Sequence, residues 1–151
     1  MTRPRAFGAV GCLAAAFLLG LGLAASPFLL PSVTPRFPSG KFVAVLPDAT
    51  PLIPVHGRKT ATLEVRARSA GRYQVGGSAF CNSWGGELTV LPGKRIVWGD
   101  VYVTAIACAN VMAAEATYLQ ALLGASRWRT EEGALILDNG THILRFVLAP
   151  S

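Results

Sequence analysis

From Thr60 to Arg68 apolar and polar residues alternate without a break. Ala61, Leu63, Val65 and Ala67 fall on one side, and Thr60, Thr62, Glu64, Arg66 and Arg68 on the other. That period of two predicts a half-buried strand. Ser69-Ala70-Gly71 turns the chain and Arg72 to Val75 returns. Lys41 to Leu46 is a short strand ahead of a turn-like stretch from Pro47 to Pro54. Glu87 to Leu91 and Arg95 to Trp98 flank Pro92-Gly93-Lys94, which reads as a hairpin. Val101 to Thr104 is another short apolar run.

The period then changes. Val111 to Leu123 predicts a helix capped by Asn110 and ended by Gly124. Met112, Ala116, Leu119 and Leu123 form the stripe expected to cover the sheet. Arg127 to Thr130 and Ala134 to Asp138 follow as strands. Asn139-Gly140 predicts a two-residue type I′ turn, and Thr141 to Leu148 closes the chain. Such a turn sets His142 opposite Leu137 and Leu144 opposite Leu135, on the face shared with Phe146. The fold class is α+β: a mostly antiparallel curled sheet or partial barrel of short strands, covered by one main helix. Tyr73, Phe80, Trp98, Leu119 and Phe146 are expected in its core.

The N-terminus has another character. Arg3 and Arg5 precede an uncharged stretch from Ala6 to Pro35, apolar as far as Leu23. Residues 1–25 are expected to be a signal peptide cut near Ala24 or Ala25, or else an uncleaved membrane anchor. Both place the remainder outside the cytoplasm, periplasmic or secreted, or anchored to the inner membrane facing the periplasm. Residues 26–40 hold four prolines and read as a linker, leaving 41–151 as the folded domain. Ala9-Val10-Gly11-Cys12 is a poor lipidation site, because the apolar run continues well past the cysteine. Once Cys12 is removed with the leader, Cys81 and Cys108 remain. An even count in an oxidising compartment favours a disulfide, the other reading being two buried thiols.

Charge adds one feature. The chain of 151 residues carries a formal net charge of +6. Arg58, Lys59, Arg66, Arg68 and Arg72 cluster in sequence, a candidate patch for an anionic envelope component. No aromatic residues interleave with them, which disfavours nucleic acid. The plainer account is a solvated strand face.

Catalytic and cofactor patterns are missing from the sequence. His56 and His142 are far apart and no C-x-x-C or H-x-x-x-H spacing occurs, so no metal or cofactor is expected. Gly76-Gly77 and Gly85-Gly86 precede no helix, so they are not a phosphate loop. A Cys or His nucleophile needs neighbours that sequence does not supply. His142 is expected to be a partly buried structural residue, with a ligand site at a barrel rim as the alternative.

Ala79-Phe80-Cys81-Asn82-Ser83-Trp84-Gly85-Gly86, taken with Thr104-Ala105-Ile106-Ala107-Cys108 and with Glu115, Tyr118 and Leu119, resembles the META domain, the family of HslJ-like heat-shock proteins. The resemblance runs from about Gly40 to Leu148. Phe42 stands where the family usually has Trp, and Ala109 and Asn110 follow the second Cys step where Pro is common. It implies an envelope or stress-associated role and carries no catalytic residues. Asn82, Thr104 and Glu115 are the polar residues its pattern emphasises, expected first as structural pins and second as a small-ligand site. The function expected is a non-enzymatic exported domain that binds an unknown protein or small ligand. The alternatives are a small periplasmic enzyme using Cys or His, and a membrane-tethered inhibitor or accessory subunit.

Overall fold

The computed structural model describes residues 36–46, 52 and 59–150. Eight strands and one helix follow one another: β1 (Gly40–Val45), β2 (Thr62–Ser69), β3 (Arg72–Ala79), β4 (Asn82–Leu91), β5 (Arg95–Val103), α1 (Met112–Leu123), β6 (Arg127–Glu131), β7 (Ala134–Asp138) and β8 (Ile143–Leu148). Each strand pairs antiparallel with the next. β8 returns to β1, with Phe42 opposite Leu148 and Ala44 opposite Phe146. The sheet is antiparallel as expected but closes fully into a barrel, beyond the curled sheet or partial barrel expected. Hairpin signals report neighbours in sequence, whereas closure joins strands at the two ends of the domain.

The inward residues of the strands fill the barrel. Leu63, Leu88, Leu135, Leu137 and Phe146 are almost fully buried, and Tyr73 and Phe80 nearly so. Trp98 and Leu119 are only partly buried against this core. Ala67, expected inside, is exposed near the hairpin end of β2, although it keeps its register opposite the buried Tyr73. The proline-rich segment contributes where none was expected. Phe37 is 1% exposed and its ring lies 5.5 Å from Tyr73 and 5.0 Å from Trp128. Its N–H donates to the Tyr73 hydroxyl at 3.1 Å. Gly77 is needed for a different reason: any Cβ there would run into the Thr62 carbonyl of β2.

The helix begins at Met112, with Val111 at the cap position and no side-chain cap bond. Asn110 instead takes a left-handed conformation, φ 67°, which Asn tolerates better than most residues. The buried helical residues are Glu115, Tyr118, Ala121 and Leu122. The predicted stripe is thus rotated: Met112 and Ala116 are exposed. The helix is apolar nearly all round, so periodicity marks no face, and its buried anchor is an acid that a hydrophobic pattern counts as outward.

The β7–β8 turn differs too. Asp138 pairs with Ile143 and Leu137 with Leu144, leaving a four-residue loop. Asn139 Oδ1 accepts the N–H groups of Thr141 at 2.8 Å and His142 at 2.6 Å. Asp138 Oδ1 accepts that of Gly140 at 2.6 Å. Side-chain acceptors close this turn in place of the two-residue backbone form. The register moves by two residues, so Leu144 and Phe146 keep the predicted face while His142 leaves the ladder.

Candidate functional site

The tight turn between β3 and β4 is the starting point. Phe80 adopts φ 67° and the Cys81 N–H donates to Ala79 O at 2.8 Å. This geometry aims the N–H groups of Cys81 and Asn82 at the carboxyl of Glu115, in the first turn of α1. Glu115 Oε2 accepts them at 3.3 and 2.8 Å. Glu115 Oε1 accepts Asn82 Nδ2 at 2.7 Å. An acid near a helix N-terminus also gains from the helix dipole.

Asn82 ties in the segment after β5. Its Nδ2 donates to Ile106 O at 3.0 Å. Its Oδ1 accepts the Ile106 N–H at 2.7 Å and the Thr104 hydroxyl at 2.8 Å. The Thr104 hydroxyl oxygen accepts the Ser83 N–H at 3.1 Å. Asn82 and Glu115 are 2% and 4% exposed, so leaving a polar group of either side chain unpaired would cost about 1–3 kcal/mol. Beside this cluster Cys81 and Cys108 form a disulfide, with Cα atoms 6.2 Å apart. Bond and cluster join the same pieces of chain: the β3–β4 turn and residues 104–108, with α1 held by Glu115.

Chemically the cluster is saturated. Both carboxyl oxygens of Glu115 accept N–H groups, both amide ends of Asn82 are used, and the two cysteines are bonded. Among the described residues, no group of three His, Cys, Asp or Glu side chains could hold a metal ion. His142 is exposed, not partly buried as expected. His56 and Arg58 lie outside the described residues, as do residues 1–25, where a signal peptide or anchor was expected.

The basic residues do not form one patch. Arg66, Arg68 and Arg72 lie toward the tip of the β2–β3 hairpin, and Lys59 precedes the opposite end of β2. Arg66 Nη2 lies 3.5 Å from Glu64, which also sits 3.6 Å from Lys41. Arg68 donates to Gln74 Oε1 at 3.4 Å. These are exposed contacts on a solvated strand.

An apolar cleft of about 630 Å³ lies between α1 and the β7–β8 loop, where the sequence had offered only His142 as the alternative ligand position. Phe80, Ala114, Tyr118, Ile143 and Leu144 line it, with His142 alongside. Tyr118 and Phe80 pack with ring centroids 5.5 Å apart. Burial pushes the Tyr118 phenol far above its ordinary pKa, and its hydroxyl has no hydrogen-bond partner among the described residues. No sequence signal marks this cleft, because its walls meet only when the helix lies on the barrel.

No curated protein matches this chain. A solution NMR structure of a protein from Burkholderia xenovorans is similar, with 22% identity and a TM-score of 0.55, covering 100% of both chains. A second NMR structure shares 17% identity with a TM-score of 0.53, covering 72% of this chain and 88% of the other. At these identities the likeness is one of fold. The META domain model matches residues 40–151, the stretch that holds every strand, the helix and the Asn82–Glu115 cluster, and the chain belongs to the META domain family.

Proposed function

We propose that this META-domain protein is exported and non-enzymatic, and that it supports envelope stress tolerance by binding a partner or ligand. The observation that carries this is the saturated cluster. The polar groups at the family motif are consumed by bonds to backbone and to each other, and the two cysteines by their disulfide. Groups committed in this way hold a scaffold together, and the bonded cysteines leave no thiolate to react. The disulfide supports export, since such bonds persist chiefly in oxidising compartments. Family membership supports the stress-associated role.

A small apolar ligand is the second form of this proposal, favoured by the cleft beside Tyr118 and His142. Its volume lies within the range of small-molecule sites, roughly 300–1,000 Å³.

Mass spectrometry of the protein recovered from fractionated cells, with and without thiol alkylation, tests the proposal. The expected result is a domain outside the cytoplasm whose Cys81 and Cys108 resist alkylation until reduced. A full-length, soluble cytoplasmic protein with both thiols free would overturn it. For the second form, a hydrophobic dye displaced by aliphatic amphiphiles is expected to bind wild type and to lose affinity in Ala114→Trp, which fills the cleft from α1. Equal binding by both proteins would count against the cleft.

A further inference from the structure

A shallow trough crosses the outer face of the sheet from β2 to β5. Its volume is about 430 Å³, within the range of small-molecule sites.

Alternation sets its floor and walls. Tyr73 and Val75 are buried in the core, so Gln74, Gly76 and Ser78 point outward. The register then aligns three ranks across the strands. In the middle rank Glu64 faces Gly76, Gly76 faces Gly85, and Gly85 faces Tyr102. Two adjacent strands thus carry no side chain there, and bare backbone is the floor. On one side stand the hydroxyls of Thr62, Ser78 and Ser83. Ser78 lies opposite Ser83, and its N–H donates to Thr62 Oγ1 at 2.9 Å. On the other side stand Arg66 and Gln74, opposite each other on β2 and β3.

The ends of the middle rank differ. At one end Tyr102 folds over the floor, and a Cβ on Gly85 would run into its phenol ring. The ring rests on the Gly85 backbone, yet Tyr102 is 66% exposed. At the other end the Glu64 carboxylate lies 3.5 Å from Arg66 and 3.6 Å from Lys41. Covering a glycine accounts for an aromatic ring at this place. It does not account for the unused polar capacity around it. Ser78 Oγ is shielded from solvent and has no hydrogen-bond partner among the described residues. Arg66 donates to Glu64 through Nη2 alone, which leaves further guanidinium donors and carboxylate lone pairs to water.

We propose that this trough binds a neutral pyranose unit of a glycan. A sugar ring has an apolar C–H face and a rim of hydroxyls that both donate and accept. The C–H face packs on the water-exposed part of the Tyr102 ring, whose negative face attracts C–H groups. The rim bonds to Arg66, Glu64 and the hydroxyl rank, and a sugar hydroxyl supplies the partner that Ser78 Oγ lacks. The two charged residues lining the trough, Glu64 and Arg66, offset each other, so no net field draws a phosphate or a carboxylate. An acyl chain finds no apolar walls here, in contrast to the cleft beside Tyr118. The inference gives a ligand class to the binding role proposed above and rests on that role.

Nuclear magnetic resonance titration of the full chain with neutral trisaccharides of glucose, of galactose and of N-acetylglucosamine tests it. The expected result is a saturable shift of the Gly76, Gly85 and Tyr102 amides with at least one of them. Tyr102→Ala is expected to weaken that binding about tenfold, and Tyr102→Phe, which keeps the ring, to preserve it. Arg66→Ala is expected to weaken it several-fold. Both positions are exposed, so the remaining spectrum reports an unchanged fold. No shift with any of the three sugars at millimolar concentration overturns the inference, as does full affinity in Tyr102→Ala. Shifts confined to Ala114 and Ile143 overturn it in favour of the cleft. Adenosine monophosphate bound in the trough more tightly than any sugar overturns it in favour of an anionic aromatic ligand. An exported, disulfide-bonded protein that ignores sugars sinks this assignment alone, whereas a cytoplasmic one that binds them sinks only the export reading.

Discussion

Two parts of one barrel are held by opposite means. Where the β3–β4 turn meets residues 104–108 and α1, a disulfide and a buried cluster centred on Asn82 and Glu115 join the same segments. At the β5–β6 seam the ladder shrinks to one register pair, and Trp98 spans the junction by donating its indole N–H to Ala125 O at 2.9 Å. The segment after β5 has no strand partner of its own, so its backbone is held by side chains and a covalent bond. The seam is held by a short ladder and one indole, and it leaves an edge open. The irregular segment gains side-chain and covalent ties in place of a ladder, whereas the seam, where the ladder runs out, gains only the indole.

The largest effect should come from Asn82→Ala. It strands one oxygen of the buried Glu115 and the part-buried Ile106 N–H and C=O, and is expected to cost about 3–4 kcal/mol. Urea denaturation measures it; a loss comparable to that of a surface substitution would break the comparison at its strong end. Breaking the disulfide comes next. Cys81 and Cys108 are separated by 27 positions, and closing a loop of that length stabilises by roughly 3–4 kcal/mol through the unfolded state. Thermal melting with and without reductant should show a fall of several degrees or more, and coincident curves would remove the covalent half of the contrast.

Trp98→Phe probes the seam. It keeps an aromatic ring but loses the indole N–H bonded to Ala125 O and some packing volume, at an expected cost of about 1–2 kcal/mol. Amide exchange in β6 should quicken before that in β3 or β4. If β6 is as well protected as the Asn82 turn, the seam is not the weaker part. Arg66→Ala is the smallest, at or below about 0.5 kcal/mol, because its contact with Glu64 is exposed and screened by water. A larger loss in denaturant would give the β2 face a structural role that its geometry does not.

Much of this architecture was legible in the chain. Alternation from Ala61 to Val65 marked the inward face of β2. Pro92-Gly93-Lys94 marked the β4–β5 hairpin, and Gly124 the end of α1. These signals are local: a period of two, a residue that sets or frees φ, a helix stop. The two cysteines outside the expected leader pointed to a disulfide from their number alone. The family motif named Asn82, Thr104 and Glu115, but not the bonds between them.

What the tertiary structure alone decided is non-local. Whether β8 returns to β1 depends on the tilt and twist accumulated over every intervening strand. The buried face of α1 was set by Glu115 reaching the N–H groups of the β3–β4 turn, an attraction between residues more than thirty positions apart. Periodicity in an almost wholly apolar helix cannot register it. His142 left the ladder because Asn139 satisfied the turn with its side chain, a choice among hydrogen-bond partners that the Asn-Gly pair leaves open. Local chemistry thus determined which segments are strands and where they turn. The packing of distant segments determined which way they face and which of their polar groups are left with anything to do.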